Sequence, residues 1–276
     1  MFQITSREKT FNLNRLNPIK ISGFSRSAYR TGFIVYPYNI YLDAGLHPTV
    51  NANLVLVSHT HYDHIASLYP ILLESKNKNV MIPLSAKENV SEMLNSISKL
   101  NCGKKTSKFD WNPITEYNFT TKIIGKNIYV ETYKLDHRIE TNGYGIYEEQ
   151  NILKEQFTDL SSKEISILKK SNTQICDKIL VPILMFINDT GNKILDELPF
   201  SKFKLVIIEC TFIEEEHYKE ALNRKHIHWN DLKKYVKINS NTQFILTHFS
   251  SRYKDDYLSK KELELKKEFS NILFWI

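Results

Sequence analysis

The sequence predicts an α/β fold, and three observations carry that reading. Short apolar runs of strand length, at residues 20–21, 32–35, 53–57, 127–133, 179–186, 205–209 and 243–247, alternate with helical or loop segments. Such alternation builds sheets covered by helices. The 276 residues suffice for one large sandwich with a sizeable core. A hydrophobic content of 42% with 25% charged residues is ordinary for a globular chain, and no apolar run approaches the roughly 18 residues a membrane span needs.

In chain order, the first residues, Met1-Phe2-Gln3-Ile4-Thr5-Ser6-Arg7, lack the apolar core of a secretory signal. The acid-poor stretch up to Phe24 is compatible with organelle targeting, and a first strand with its flanks explains it equally well. Ser85-Ala86-Lys87-Glu88 reads as a capping box opening a helix whose stripe is Val90, Met93, Leu94, Ile97 and Leu100. A second box, Ser161-Ser162-Lys163-Glu164, precedes Ile165 and Leu168 and predicts a short helix inside the polar segment 150–178, which interrupts the strand pattern as an insertion would. No repeat, low-complexity tract or linker divides the chain, so residues 1–276 read as one domain with an arm-like insertion around 150–178.

Cys102, Cys176 and Cys210 are odd in number and form no C-x-x-C pair, which argues against a disulfide framework or a thiolate zinc site and for a reducing, cytoplasmic compartment. The net charge of +6 is compatible with a polyanionic partner. Lys76 with Lys78, Lys104 with Lys105, Lys169 with Lys170, and Lys233 with Lys234 form a basic patch if they face one way.

Ser58-His59-Thr60-His61-Tyr62-Asp63-His64 directly follows the apolar run Leu54-Val55-Leu56-Val57. Residues two apart in an extended chain point to the same side, so His59 and His61 can share one metal. Where the backbone turns, Asp63 and His64 can diverge to a second metal a few Å away, and one loop then seeds a two-metal centre.

This H-x-H-x-D-H spacing resembles the signature of the metallo-β-lactamase superfamily, and Ile40-Tyr41-Leu42-Asp43-Ala44-Gly45 resembles its preceding strand. The resemblance implies an αββα sandwich, two mixed β-sheets flanked by helices. It makes Asp43 a support behind the metal loop rather than a ligand. A histidine at position 61, where the superfamily's di-iron electron-transfer branch has Glu, favours zinc hydrolysis over redox chemistry.

A dinuclear centre needs ligands from other strand ends. His137 follows Tyr133-Lys134-Leu135, Asp189 follows Ile183-Leu184-Met185-Phe186, and His248 follows Phe244-Ile245-Leu246-Thr247. The expected arrangement puts His59, His61 and His137 on one metal, Asp63, His64 and His248 on the other, and Asp189 between them, keeping two cations close enough to polarise one hydroxide. Nitrogen-rich ligation points to two Zn²⁺, with Mn²⁺ able to occupy the same ligands.

Further stretches narrow the resemblance to ribonuclease Z in its short plant-type form. They are Leu135-Asp136-His137 with the downstream Gly143-Tyr144 pair, Ile208-Glu209-Cys210-Thr211-Phe212, Lys225-His226-Ile227-His228-Trp229, and Leu246-Thr247-His248-Phe249-Ser250-Ser251-Arg252-Tyr253. With the first metal loop they stand in the family's order over roughly residues 40 to 255. The segments 153–157 and 160–165 resemble its short arm. The resemblance implies a homodimeric endoribonuclease acting on the pre-tRNA 3′ end, with Asp63, Glu209 and His226 in catalysis. In that scheme Glu209 orients His226 to protonate the departing ribose 3′ oxygen, and Asp63 handles the nucleophile's proton. His228 is left outside the catalytic set, and His47 and His217 read as surface histidines.

The chain also departs from the family. Ala66-Ser67 and Asn188 stand where glycines are usual, and both changes are expected to add side chains at the mouth of the site. Ser25-Arg26-Ser27-Ala28-Tyr29-Arg30 replaces a glycine-rich turn, and segment 150–178 contains no glycine or proline, unlike the long bacterial tRNA-gripping arm. Two alternatives accompany the tRNA reading: a phosphodiesterase for cyclic CMP or cyclic UMP, as in phage anti-Pycsar enzymes, and a zinc-stabilised RNA-binding subunit without catalysis.

Overall fold

The computed structural model describes residues 7–13, 16–47, 51–74, 79–104, 110–114, 120–123 and 127–276. Lys76, Lys78 and Lys105 of the expected lysine clusters lie outside them. The first half of the chain forms one seven-stranded sheet in sequence order: β1 (Arg7–Phe11), β2 (Ile19–Arg26), β3 (Arg30–Tyr36), β4 (Ile40–Leu42), β5 (Leu54–Leu56), β6 (Asn79–Pro83) and β7 (Asp110–Ile114). The second half forms another: β8 (Thr120–Lys122), β9 (Ile128–Leu135), β10 (Thr141–Leu153), β11 (Cys176–Ile187), β12 (Leu205–Glu209), β13 (Gln243–Thr247) and β14 (Ile272–Phe274). In both, the first four strands pair antiparallel and the rest parallel. The sheet topology therefore repeats although the sequence shows no repeat.

The central strands are buried on both faces, which is why they read as continuous apolar runs rather than alternating ones. In β12, Leu205 and Ile207 point into the core between the sheets, with Phe33, Leu54, Phe186 and Ile245. Val206 and Ile208 point outward, to Leu232 and Val236 of α6 (Trp229–Ile238) and Leu258 of α7 (Asp255–Leu265). On the first sheet Val55 and Val57 face outward. They meet Ile65 of α1 (Tyr62–Ile65), Leu68 and Leu72 of α2 (Leu68–Glu74), and Val90 and Leu94 of α3 (Lys87–Cys102). The result is the expected four-layered αββα arrangement of two mixed sheets flanked by helices.

Two helical expectations have different outcomes. At Ser161 the capping box forms: the hydroxyl accepts from Glu164 N, and Glu164 accepts from Ser161 N at 2.8 Å, opening α4 (Ser162–Lys170). At Ser85 it does not form. Leu84–Ala86 is a 3₁₀ turn, α3 opens after Ala86 without a side-chain cap, and Ser85 N donates to Glu140 instead. Leu100 is also off the buried stripe, at 87% exposed.

The insertion is an extension of the second sheet. Beyond a register shift at Ile146/Tyr147, where Pro182 stands opposite Tyr147, β10 and β11 run on past the end of β9, which pairs with β10 as far as Glu148, as a two-stranded ribbon in which Gln150 pairs with Ile179 and Leu153 with Cys176. A bulge releases the ribbon from the core, and proline is tolerated there because the ladder is already interrupted. Segment 154–175, containing α4, connects the two strands.

Candidate metal centre

The loops that follow β4, β5, β9, β11, β12 and β13 meet at one edge of the sandwich. Several turn abruptly: Asp43, Asp189 and His248 have φ of 58°, 25° and 61°. Non-glycine residues rarely adopt this left-handed region, and such strain gathers at functional sites. Gly45 shows how closely the loops approach, since a Cβ there would lie 1.9 Å from the carbonyl oxygen of Asp63.

The structure brings together all seven side chains expected to ligate metal. His59, His61, His137 and Asp189 form one group, and Asp63, His64 and His248 a second. In the first, His59 Nε2 lies 2.9 Å and His137 Nε2 3.4 Å from His61 Nδ1. Asp189 Oδ2 is 3.5 Å from His59 Nε2 and 3.7 Å from His137 Nε2. In the second, Asp63 Oδ2 is 3.3 Å from His64 Nε2 and 3.6 Å from His248 Nε2. Asp189 spans both, because its Oδ1 is 3.2 Å from His248 Nε2.

The outer nitrogens of four histidines are held so that, in the neutral ring, Nε2 is left as a lone pair facing the cluster. His137 Nδ1 meets the Lys225 carbonyl oxygen at 3.0 Å, and His64 Nδ1 meets Asp43 Oδ2 at 2.8 Å; both partners can only accept. Ser58 Oγ donates to Asp43 Oδ2 at 2.9 Å and so accepts from His59 Nδ1 at 3.0 Å. Thr211 Oγ1 donates to Glu209 Oε2 at 2.6 Å and so accepts from His248 Nδ1 at 3.0 Å. Each ring is thereby fixed in tautomer and orientation.

A divalent cation fits this donor set. His64 Nε2, His248 Nε2 and Asp189 Oδ1 are buried, face the cluster and have no hydrogen-bond partner, an arrangement that is costly unless a positive charge satisfies it. Burial holds the pKa of His59, His61 and His137 below the usual histidine range, favouring the neutral form that ligates metals. For His64, burial is outweighed by the charges of Asp189 and Asp43, which raise its pKa well above that range. Burial is likewise outweighed at both aspartates. The close approach of His248 and His64 holds Asp63 far below the carboxylate range, and the charges of His248 and His64 do the same for Asp189.

Glu209 and His226 form the expected pair. Glu209 is fully buried, accepts from Thr190 N at 2.7 Å and lies 2.9 Å from His226 Nδ1. Although burial opposes it, the Glu209 charge and this hydrogen bond raise the pKa of His226 to about 9. His226 stands beside Asp189 and His248, with which its neutral ring could itself hold an ion.

A cavity of about 340 Å³ opens onto the cluster, lined by Tyr62, Asp63, Arg138, Arg224 and His226 among others. A second, of about 290 Å³, shares Ser27, Ala28, Arg224 and His226 and continues to Ser250, Ser251 and Arg252.

Several sequence expectations need correction. Asn188 is not at the mouth: it is fully buried behind the cluster, donating to Asp43 Oδ2 at 2.9 Å. Ser67 is also buried and donates to the Gly45 carbonyl. His217 is half-buried, 2.7 Å from the Tyr253 hydroxyl, so it is not simply a surface histidine. His228, which had no assigned role, caps α6: its Nδ1 accepts from Asn230 N and its Nε2 donates to the Glu214 carbonyl.

Sequence reasoning missed Ser58 and Thr211 as supports, and also Ser25. The Ser25 hydroxyl accepts from His248 N at 3.0 Å and lies 3.2 Å from Thr31 Oγ1. Ser25→Ala leaves that buried amide without its acceptor, at a ligand already in a strained conformation. We expect metal affinity about 10- to 100-fold weaker, as for other residues that orient ligands, in competition with a chelator, and largely restored in Ser25→Thr. Unchanged affinity in the alanine variant would show that the hydroxyl does not hold His248.

No family model matches the chain. Among curated proteins, tRNase Z TRZ1 of Arabidopsis thaliana is 29% identical over 245 residues, 84% of this chain and 86% of that protein. The chloroplastic tRNase Z TRZ2 of the same plant is 28% identical over 92% of this chain and 74% of its own length. Among solved structures, the metallo-β-lactamase fold protein YhfI from Bacillus subtilis superposes with a TM-score of 0.62 at 16% identity, covering 94% of this chain and 96% of that one. Human tRNase Z, short form, superposes with a TM-score of 0.58 at 14% identity over 92% and 95%. Yeast PDE1 does so with the same score at 12% identity over 94% and 97%. At these identities the solved structures establish the metallo-β-lactamase fold, while the sequence relatives bear out the resemblance to ribonuclease Z.

Proposed function

We propose that this chain, a relative of the tRNase Z enzymes on a metallo-β-lactamase scaffold, is a metal-dependent phosphodiesterase that cleaves precursor tRNA at its 3′ end. The observation that carries it is the Glu209–His226 pair standing beside the Asp189-bridged histidine cluster, in a chain whose curated relatives over 84% and 92% of its length are tRNase Z enzymes.

His59, His61 and His137 would hold one cation, Asp63, His64 and His248 the other, with Asp189 between. The nitrogen-rich donor set favours two zinc ions, and manganese fits the same ligands. Such cations neutralise charge on phosphoryl oxygens and lower the pKa of water. Asp63 lines the cavity with one oxygen turned to His64 and His248, which leaves the other to take a proton from the attacking water. His226, oriented by Glu209, delivers a proton to the departing ribose 3′ oxygen, a step worth about 10² to 10⁴ in rate.

The ribbon of β10 and β11 and its tip helix bear Lys154, Lys163, Lys169, Lys170 and Lys178 and would grip tRNA phosphates in place of a longer arm. The family resemblance suggests a homodimer, which mass measurement in solution would test. The three free cysteines support a reducing, cytoplasmic setting.

Pre-tRNA and cyclic CMP or cyclic UMP should be offered in parallel to the metal-loaded protein. We expect cleavage of pre-tRNA to leave a 3′ hydroxyl on the tRNA. If six or more phosphates are contacted, affinity should fall on the order of 10³-fold or more between about 50 and about 200 mM salt. Hydrolysis of the cyclic nucleotides alone, without this salt dependence, would overturn the tRNA reading.

A further inference from the structure

Tyr62 stands between two cluster residues, His61 and Asp63, yet is 75% exposed. It lines the 340 Å³ cavity with Arg138, Arg224 and His226. Its backbone is fixed as the first residue of α1, with its carbonyl accepting from Ala66 N at 2.9 Å and both neighbours turned into the cluster. A single exposed aromatic elsewhere on a surface needs no explanation. Here the ring is displayed in the cavity that opens onto the reacting centre, which Arg138 and Arg224 also line.

That pairing of an exposed π-face with cations is the chemistry that recognises single-stranded nucleic acid. A tyrosine offers this area at little entropic cost, because only two torsions have to be ordered. Stacking also tolerates sequence, since every base presents a π-face, which suits an enzyme that must accept different nucleotides beside the cleaved bond.

We propose that Tyr62 is the stacking platform for the base of one of the two nucleotides flanking the scissile phosphate, with Arg138 and Arg224 taking up phosphate charge. This rests on the RNA-cleaving reading above. Tyr62→Ala raises KM for pre-tRNA about 5- to 150-fold with kcat and bound metal unchanged, and Tyr62→Phe behaves as the unaltered protein. An abasic nucleotide placed in turn on each side of the cleavage site reproduces the loss at one of the two positions, and combining it with Tyr62→Ala adds nothing further.

Unchanged KM in Tyr62→Ala overturns the stacking role alone. So does loss of metal, or losses that multiply when variant and abasic substrate are combined. Failure of the unaltered protein to cleave pre-tRNA overturns both the stacking role and the function on which it rests.

Discussion

Replacing Asp189 with alanine abolishes phosphodiester cleavage and lowers the metal content of the protein. Asp189 is the carboxylate that reaches both groups, with Oδ2 toward His59 and His137 and Oδ1 toward His248. Without it, five histidines and Asp63 are left in two sets with nothing spanning them. Charge neutralisation by a metal pair contributes several kcal/mol to the barrier, so activity should fall by about 10³-fold or more. Asp189→Asn separates charge from shape: the amide nearly preserves the volume, but it cannot supply an anionic oxygen to each side. Metal analysis after chelation and repletion, alongside kcat/KM, reads both effects. A variant that retains its metals and its rate would mean that the two groups work independently and that Asp189 is only a buried partner for His248.

The parts of this centre that were legible in the sequence are those where an unusual residue type stands at a strand end. His59, His61, His64, His137 and His248 follow apolar runs, and a histidine cluster cannot be mistaken for core. Of the supporting residues, Asp43 was legible from the resemblance and does hold Ser58 and His64, whereas Ser25 and Thr211 were not, because they are ordinary residues brought from far along the chain. Ser25 lies 223 positions from His248, and Thr211 lies 37 from it.

The two capping boxes make the same point about context. Ser161 is exposed and nothing competes for it, so local chemistry decides. The Ser85 amide finds the carboxylate of Glu140, 55 residues away, and the helix starts later. Asn188 was misjudged because its neighbour Asp189 takes a positive φ: Asp189 faces the cluster while Asn188 turns back to Asp43. The matching order of the two sheets was hidden for another reason. Strands buried on both faces constrain hydrophobicity and not identity, so the halves can share a topology without sharing residues.

His226→Ala should slow cleavage of pre-tRNA by about 10² to 10⁴-fold while leaving the metals bound. Glu209 is fully buried, yet each of its oxygens is engaged: Oε1 by Thr190 N and His226 Nδ1, Oε2 by Thr211 N and Oγ1. That carboxylate holds the His226 ring from behind, with the ring lining the cavity. A ribose 3′ alkoxide is a poor leaving group, so loss of the acid should appear in kcat. A substrate whose leaving group departs without a proton, such as a 4-nitrophenyl ester of a nucleotide, should largely escape the penalty. The rival role is ligation, since Asp189, His226 and His248 together could also hold an ion. If His226 served that role, the alanine variant would lose metal and the activated ester would suffer as much as pre-tRNA. His248 does not depend on His226 for its own orientation, because Thr211 Oγ1 holds its Nδ1. Metal retention together with a penalty confined to the poor leaving group therefore assigns His226 to proton delivery.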